Sequence, residues 1–374
     1  MNKKTSKNKN NICIDVICGG QSAEHDVSIL SAISIINGLL ELKNANKIFI
    51  IYITQKGEWF RTDVPLKQTP DESFIRTLTK KGNYVSPSVD PNNKVYFGKN
   101  KTYELPDLYF PVLHGTKGED GTIQGLFRLM SIPYVGSDVT GGSCGMDKEV
   151  MRRIFQSLKL SLLPWISFNK DEWENNQKLC INNILEKLKY PVFVKPANLG
   201  SSIGISKAKN HNNLIKAVNL AFIYDYKIVI EQGINAREIE CAVLGNLTPQ
   251  ASEPGEIFPG AEFYDYDDKY LSTNSSNKIP ADISPSLKKK IQRDAITAFL
   301  GVNAKGLSRV DFFICKETSK YYINEINTFP GFTKISMYPK LWNYTGIDFK
   351  TLVSKLIQFA FENFKMDVQK KIKN

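Results

Sequence analysis

Over the first third of the chain, short apolar runs alternate with a segment whose apolar positions recur at helical spacing. Residues 12–17 and 47–54 are typical of buried strands, and residues 27–40 between them have the periodicity of an amphipathic helix. Residues 57–104 are polar and weakly periodic, which favours an irregular or hairpin insertion. The alternation predicts a small parallel α/β domain over residues 12–137.

The pattern changes near residue 138. Helices and strands continue to alternate up to about residue 235, and the rest of the chain is rich in strands. A hairpin over 305–328 and a last amphipathic helix from residue 349 follow there. We expect a disordered tail and three domains, with these bounds: 1–11, 12–137, 138–235 and 236–370.

Composition excludes several classes of protein. The chain is 42% hydrophobic and 23% charged, which is typical of a globular protein. It has no uncharged apolar run of the ~18 residues that a membrane span needs. Its six cysteines form no C-x-x-C pair and it has only three histidines. We therefore expect reduced thiols in a cytoplasmic protein, without a disulfide framework or a multi-histidine metal centre.

The charge balance raises the question of a nucleic-acid partner, because 49 Lys and Arg residues against 38 Asp and Glu residues give a net charge of +11. The basic residues are dispersed, however. Their densest clusters are the first ten residues, Lys288–Lys290 and the last five residues, without interleaved aromatic side chains. We favour solvated helix faces and chain ends, and a basic nucleic-acid-binding protein stays the alternative from another class.

The hairpin at 305–328 carries the most specific chemistry. Side chains alternate along a strand, so Arg309 and Asp311 share one face, and Glu325 and Asn327 share a face of the second strand. Pairing about a turn near Thr318 places Asp311 opposite Glu325. Two opposed acids repel, and a Mg²⁺ ion bound to their oxygens would remove that cost. The alternative is a solvated face on which Arg309 neutralises the acids.

Other candidate residues are individually ambiguous. The loop Gly200–Ser202 offers backbone N–H groups and hydroxyls to phosphate, and Lys148 and Lys195 offer cations, although no P-loop motif is present. A plain turn and solvated lysines are the alternatives. Glu24 lies near a predicted helix N-terminus, where it either interacts with the helix dipole or receives an ammonium group. His114 is either a hydrogen-bonding residue at a strand end or a substrate contact.

Seven segments occur together in one order: GGQSAEHDVS, HGTKGEDGTIQG, MDK, VKPANLGSSIG, EFYDYDDKY, SRVDFF and NEINTFPGFTKISMYP. In this combination the chain resembles the D-alanine–D-alanine ligases of the ATP-grasp superfamily from about residue 12 to 365. The resemblance implies an α/β (α+β) ATP-grasp fold with an N-terminal Rossmann-like parallel α/β domain. It also implies that ATP phosphorylates one D-alanine and that the amine of a second attacks the acyl phosphate. The dipeptide product would serve peptidoglycan synthesis.

The resemblance assigns roles residue by residue. The residues implied to contact D-alanine or the reacting atoms are Glu24, His114, Ser201, Tyr270, Arg309, Gly331 and Ser336. Those implied to bind ATP are Lys148, Lys195, Gly200, Ser201, Ser202, Glu231, Gln232, Ile234, Glu238, Phe263, Lys269, Asn324 and Glu325. Two Mg²⁺ or Mn²⁺ ions would be held by Asp311, Glu325 and Asn327. A cytoplasmic homodimer without nucleic-acid or membrane partners is implied.

Two positions depart from the family pattern. Gln232 stands where relatives often carry Lys, and Lys334 replaces a small polar residue close to the implied second-substrate pocket. The pair Lys269-Tyr270 resembles ligases that make D-alanyl-D-alanine. A related ligase that takes D-serine or D-lactate as the second substrate stays open as the alternative within the enzymes.

Overall fold

The computed structural model describes residues 12–43, 45, 47–90, 95–99, 101–258 and 276–368. These residues form three β-sheets of seven, four and six strands, each covered by helices. All six cysteines are free, as expected from their spacing. No helix in the described part of the chain combines the length and apolar character needed to cross a membrane.

The first sheet is parallel at one end and continues into an antiparallel extension. Its strands are β1 (Cys13–Gly19), β2 (Lys47–Ile53), β3 (Trp59–Arg61), β4 (Asn83–Pro87), β5 (Val95–Gly98), β6 (Thr102–Glu104) and β7 (Leu108–Pro111). The spatial order is β6-β5-β4-β3-β2-β1-β7. Only β2, β1 and β7, at one end of the sheet, pair in parallel; they confirm the predicted parallel α/β domain, and the other pairings of the sheet are antiparallel.

The extension is formed by the segment for which an irregular or hairpin insertion was expected, and the antiparallel pairs β4–β5 and β5–β6 agree with the hairpin alternative. It forms β3–β6 and a helix at Glu72–Lys81, which Asp71 caps by accepting from Phe74 N. A buried ion pair ties it to the central strand, because Arg61 makes two hydrogen bonds, of 3.0 and 2.9 Å, to the Asp15 carboxylate. The strands are three to five residues long, too short to show a clear periodicity in the sequence.

The helices of the described residues are α1 (His25–Leu40), α2 (Glu72–Lys81), α3 (Thr122–Leu129), α4 (Val139–Met146), α5 (Lys148–Ser157), α6 (Lys170–Lys187), α7 (His211–Tyr224), α8 (Pro285–Gly301), α9 (Met337–Tyr344) and α10 (Phe349–Val368). Local sequence explains where the helices important for the site begin. The Asp147 carboxylate accepts from Glu149 N and Val150 N and so starts α5. Ser284 caps α8, with Pro285 at the first helical position.

The second sheet is formed by β8 (Trp165–Asn169), β9 (Val192–Pro196), β10 (Ser206–Ala208) and β11 (Lys227–Gln232), in the order β10-β9-β11-β8. All its pairings are antiparallel. Helices α6 and α7 bury their apolar residues on it, so this sheet has a core of its own.

The third sheet is formed by β12 (Ala236–Gly245), β13 (Gln250–Ala251), β14 (Gly255–Phe258), β15 (Ser276–Lys278), β16 (Gly306–Cys315) and β17 (Tyr321–Asn327). The order is β15-β14-β12-β16-β17, with β13 paired to β12. One face packs on α8 and α5. The opposite face contributes Ala242 and Leu244 to a core shared with α1, α9, α10 and the first sheet.

The hairpin of β16 and β17 has the register predicted from the sequence: Asp311 lies opposite Glu325, and Arg309 opposite Asn327. A β-bulge follows directly, because Phe312 pairs with Ile323 and Asn324 is the extra residue. A regular ladder would pair Phe312 with Asn324. The bulge instead keeps the apolar Ile323 on the core face beside Phe312, where each is at most 2% exposed.

Candidate active site

One cleft brings together residues from all three sheets and their loops. It lies between the loop before α1, the loop after β7, the start of α5, the loop after β9 and the β16–β17 hairpin. The predicted site residues that line it are Glu24, Lys148, Gly200, Ser201, Ser202, Arg309, Glu325 and Asn327. The sequence places these residues up to 303 positions apart (Glu24 to Asn327), so the fold alone makes them neighbours.

Glu24 stands at the N-terminal boundary of α1, but its side chain does not cap the helix. Its carboxylate accepts a hydrogen bond from Ser201 Oγ, across the cleft. The loop before α1 is held by Ser22, whose Oγ donates to His114 O at 2.7 Å and accepts from Glu24 N at 2.9 Å. The geometry therefore favours the cleft-facing role of Glu24 over a helix cap.

Two glycines allow main chain to pack directly against the Glu24 carboxylate. A Cβ added to Gly115, which has φ +71°, or to Gly200 would lie well inside van der Waals contact of Glu24 Oε2. Ser201 and Ser202 have φ values of +50° and +59°, a left-handed conformation that is costly for residues other than glycine. Positive φ also occurs at other turns of this protein, such as Ser131 and Ser319, so it agrees with a ligand-binding loop without excluding a plain turn.

A row of three carboxylates crosses the third sheet. Glu240 on β12 pairs in register with Asp311 on β16, which pairs with Glu325 on β17. Arg309 makes two hydrogen bonds of 2.7 Å to Asp311 and approaches Glu240 Oε2 at 3.2 Å, and Asn327 Nδ2 donates to Asp311 at 3.0 Å. Arg309 thus neutralises part of the face, as the alternative interpretation required, but the acids outnumber it.

This donor set fits a divalent metal ion. Asp311, Glu325 and Asn327 present oxygen atoms on one face, and hard oxygen ligands are what Mg²⁺ and Mn²⁺ prefer. Within the described residues, no cluster of three or more His, Cys, Asp or Glu side chains has the spacing of a closed protein cage. The two acids and one amide would therefore need further ligands, such as phosphate oxygens, to complete a coordination shell.

Lys148 and Lys195 are both nearly buried at the start of the Gly/Ser loop. Lys148 Nζ donates to Leu199 O at 2.6 Å, and its backbone N–H donates to Ala197 O at 2.9 Å. Lys195 forms an ion pair with Glu231, whose other carboxylate oxygen accepts from Arg152. Burial by itself would raise the pKa of Glu231, but Arg152 and Lys195 outweigh that effect and lower it.

The other residues implied to bind ATP differ in their hydrogen bonding and burial. The Gln232 side chain binds main chain, accepting from Lys189 N at 2.9 Å and donating to Lys189 O at 2.8 Å. Ile234, Glu238 and Asn324 are partly buried, the last at the β-bulge. Phe263, Lys269 and Tyr270 lie outside the described residues, as does the 1–11 segment.

His114 joins the loop after β17 to α1. Burial lowers its pKa, so the neutral ring donates from Nδ1 to Phe329 O at 3.1 Å and accepts at Nε2 from Ser31 Oγ at 3.1 Å. Ser31 Oγ in turn accepts from Phe332 N at 3.2 Å. Both ring nitrogens are occupied, so His114 holds the loop that contains the buried Gly331.

Ser336 begins α9, and the lysine beside it is exposed. Ser336 Oγ accepts from Thr333 N at 3.0 Å and is hydrogen-bonded to Thr333 Oγ1 at 2.8 Å. A helix N-terminus favours a carboxylate, which agrees with the role that the resemblance implies for Ser336. Lys334 is exposed to solvent.

Three site residues were missed from the sequence. Glu119 lines the cleft and accepts from Gly115 N at 3.1 Å; burial, and then the charge of Glu24, raise its pKa well above its usual range. Glu240 and Arg152 are buried. A signal existed for Arg152, because it lies four positions after Lys148 on the apolar face of α5.

The fold is that of the ATP-grasp ligases. The structure of the D-alanine–D-alanine ligase from Coxiella burnetii aligns with a TM-score of 0.82 and 34% identity, covering 96% of this chain and 97% of that one. The VanG D-Ala:D-Ser ligase from Enterococcus faecalis aligns with a TM-score of 0.81 and 34% identity, covering 94% and 99%.

Residues 13–137 match the family model described as D-ala D-ala ligase N-terminus, and residues 154–358 match D-ala D-ala ligase C-terminus. A D-alanine–D-alanine ligase from Natranaerobius thermophilus is 46% identical over 93% of this chain and 94% of the relative. One from Acetivibrio thermocellus is 44% identical over 93% and 96%. The chain belongs to the D-alanine–D-alanine ligase family, an enzyme family that uses ATP.

Proposed function

We propose that this protein joins two D-alanine molecules to D-alanyl-D-alanine with hydrolysis of ATP to ADP and phosphate, for peptidoglycan precursor synthesis. The observation that carries the proposal is the cleft. It sets the Glu24 carboxylate against the Gly200–Ser202 loop and opposite the Arg309–Asp311–Glu325 face. An ammonium acceptor, a phosphate-binding loop and a metal-binding face are thereby combined in one site.

The reaction takes place in two steps. A carboxylate oxygen of the first D-alanine attacks the γ-phosphorus of ATP, and ADP leaves. The amine of the second D-alanine then attacks the acyl carbon, the bond to the phosphate oxygen breaks, and phosphate and a proton are released. Positioning of the reactants and electrostatic stabilisation account for most of such catalysis.

Individual residues support these steps. Glu24 holds the ammonium group of the first D-alanine, and Ser201 holds Glu24. Arg309, together with main chain at Gly331, stabilises the negative charge that develops on the acyl oxygen. Ser336 receives the carboxylate of the second D-alanine at the start of α9. Lys148, Lys195 and the Gly200–Ser202 loop bind the phosphates of ATP.

Asp311, Glu325 and Asn327 would hold two Mg²⁺ or Mn²⁺ ions, which when bound neutralise phosphate charge. Three further contacts are part of the proposal, although they lie outside the described residues. Tyr270 ties a closing loop to Ser201, Lys269 attends the phosphates and Phe263 contacts ATP. The adenine and ribose are assigned to Glu231, the main chain at Gln232 and Ile234, Glu238 and Asn324.

The proposal also covers the domain bounds, the location and the oligomeric state of the protein. The N-terminal domain is assigned to 12–137 and the two halves of the ATP-binding unit to 138–235 and 236–370. We further propose a cytoplasmic homodimer without a nucleic-acid partner. Light scattering on the purified protein tests the dimer, and a monomer at all concentrations would reject it.

The deciding experiment incubates the protein with ATP, Mg²⁺ and D-alanine and identifies the product by mass spectrometry. Release of phosphate that depends on both D-alanine and Mg²⁺, together with the dipeptide, supports the proposal. Absence of dipeptide from D-alanine alone would reject it.

A mixed product formed with D-serine is the second candidate function. It is kept because the D-Ala:D-Ser ligase aligns as well as the D-alanine–D-alanine ligase. Parallel reactions with D-serine or D-lactate added to D-alanine distinguish these activities. ATP hydrolysis that depends on nucleic acid instead would favour the other class of protein.

A further inference from the structure

Arg152 is buried on α5 beside Met151, which lines the cleft, and it has no assigned role in the reaction. It lies on α5 one turn after Lys148 and is 1% exposed, beside the apolar Met151. Its terminal nitrogen donates to Glu231 Oε2. Among the described residues, none accepts a hydrogen bond from its Nε. A buried guanidinium is costly unless it compensates a charge, and Glu231 is the charge that it contacts.

Glu231 is shared between two cations, with one on each oxygen. Arg152 contacts Oε2 and Lys195 contacts Oε1, and all three side chains are at most 8% exposed. The three formal charges leave one net positive charge. The arrangement is asymmetric, because Lys195 lies on β9 directly before the Gly/Ser loop, whereas Arg152 is enclosed by the core of α5.

When nucleotide phosphates bind, they compete with Glu231 for the positive charge of Lys195. A lysine that turns towards a triphosphate, or is shared with it, compensates Glu231 less. Without a second partner, Glu231 would then be a buried carboxylate without full charge compensation, which costs a large part of the binding free energy. Arg152 cannot leave Glu231 for solvent, so it continues to compensate that charge.

We propose that Arg152 is a positioning residue that keeps Glu231 charge-compensated, so that Lys195 is free to bind the phosphates of the nucleotide. The inference rests on the proposed function in taking ATP as the nucleotide. It predicts that nucleotide affinity follows the net charge of the Arg152–Glu231–Lys195 group.

Two variants separate charge from packing. Arg152→Met removes the net positive charge of the group, and we expect KM for ATP to rise roughly tenfold while KM for D-alanine changes less than about twofold. The double variant Arg152→Met/Glu231→Gln has the same net charge as the native group. We expect it to recover most of the loss in ATP affinity, which additive structural damage would not allow.

Arg152→Lys keeps the charge and should have a KM for ATP within about threefold of the native value. Arg153→Met is the matched control, because this neighbouring side chain is 67% exposed and pairs only with Glu149 among the described residues. It should leave KM for ATP unchanged. Calorimetric titration with Mg·ADP measures the same differences without a ligation reaction.

Two results would overturn the inference: an Arg152→Met enzyme with a native KM for ATP, or a double variant whose KM for ATP exceeds that of Glu231→Gln by the same factor by which Arg152→Met exceeds the native value. If Arg152→Met does not fold, the double variant and Arg152→Lys decide, since a folded double variant with weak Mg·ADP binding contradicts the charge argument. Failure of the native enzyme to make dipeptide would reject the proposed function but leave the Mg·ADP result standing.

Discussion

The molecule contains two arginine–aspartate pairs of the same bidentate geometry in different surroundings. Arg61 binds Asp15 at 3.0 and 2.9 Å in the first sheet, and Arg309 binds Asp311 at 2.7 and 2.7 Å in the cleft. Their side chains are 4% and 0% exposed in the first pair and 13% each in the second.

The neighbours of each pair determine what it can do. Tyr96 donates to Asp15 at 2.8 Å, and the Arg61 guanidinium lies 3.6 Å from the centroid of the Phe49 ring, so charge and hydrogen bonds are balanced. Beside Arg309, in contrast, Glu240 and Glu325 add two carboxylates in register with Asp311. A balanced pair stabilises the fold, whereas an acidic surplus at a cleft prepares the site for cations.

The largest effect, on turnover, is expected when one of the carboxylates beside Asp311 is neutralised. Glu325→Gln should lower kcat roughly a thousandfold, because metal-assisted neutralisation of phosphate charge is lost, while the melting temperature stays near the native value. Steady-state kinetics at saturating ATP and Mg²⁺, with thermal unfolding, measure both. Glu317→Gln, at the exposed tip of the same hairpin, is the control. Near-native turnover of Glu325→Gln would refute the metal face.

Breaking the Arg61–Asp15 pair should instead lower the stability of the fold. Arg61→Met leaves the Asp15 carboxylate buried without its cation and should cost about 3–5 kcal/mol of unfolding free energy. Urea denaturation measures this cost. Arg76→Met, which breaks an exposed ion pair with Asp26 and Glu72, should cost at most about 1 kcal/mol. Equal unfolding free energies of the two variants would contradict the expectation that the buried Arg61–Asp15 pair stabilises the fold more than an exposed ion pair does.

Glu119 is a third case, a cleft carboxyl with a raised pKa. Because the pKa of Glu119 is higher in the native state, its carboxyl keeps a proton there that it releases above about pH 4.5 in the unfolded chain. The contribution of Glu119 to the free energy of unfolding therefore declines as the pH rises above 4.5. Glu119→Gln should flatten the slope of unfolding free energy against pH by up to about 1.4 kcal/mol per pH unit. Asp120→Asn, whose carboxylate binds turn backbone, is the control. An unchanged slope in Glu119→Gln contradicts the assignment.

Local patterns predicted the parts of the fold that depend on neighbouring residues. The hairpin register followed from alternation about one turn, and it placed Asp311 opposite Glu325 correctly. The bulge at Asn324 was not predictable, because it depends on how Ile323 packs in the core. For residues 57–104 a hairpin insertion was one of two expectations, but the bounds of its strands could not be predicted because the strands are short.

The missed site residues share a different cause. Arg152 and its partner Glu231 are 79 positions apart, so no local window contains both. Glu119 adjoins Asp120 in one loop, and spacing alone does not distinguish the acid that faces the cleft from the acid that binds the turn. Local patterns left the roles of Glu24 and of the Gly200–Ser202 loop open between two interpretations, and only the family resemblance suggested a role for Ser336.

The packing of main chain around Glu24 has a consequence for inhibitor resistance. Where side chains form the wall of a pocket, a single substitution reshapes it. Around this carboxylate part of the wall is the backbone at Gly115 and Gly200, beside the Ser201 hydroxyl, and a larger residue at either glycine would collide with Glu24 itself. A compound that binds Glu24 and these peptide groups would therefore leave the enzyme few escape mutations that preserve its own substrate site.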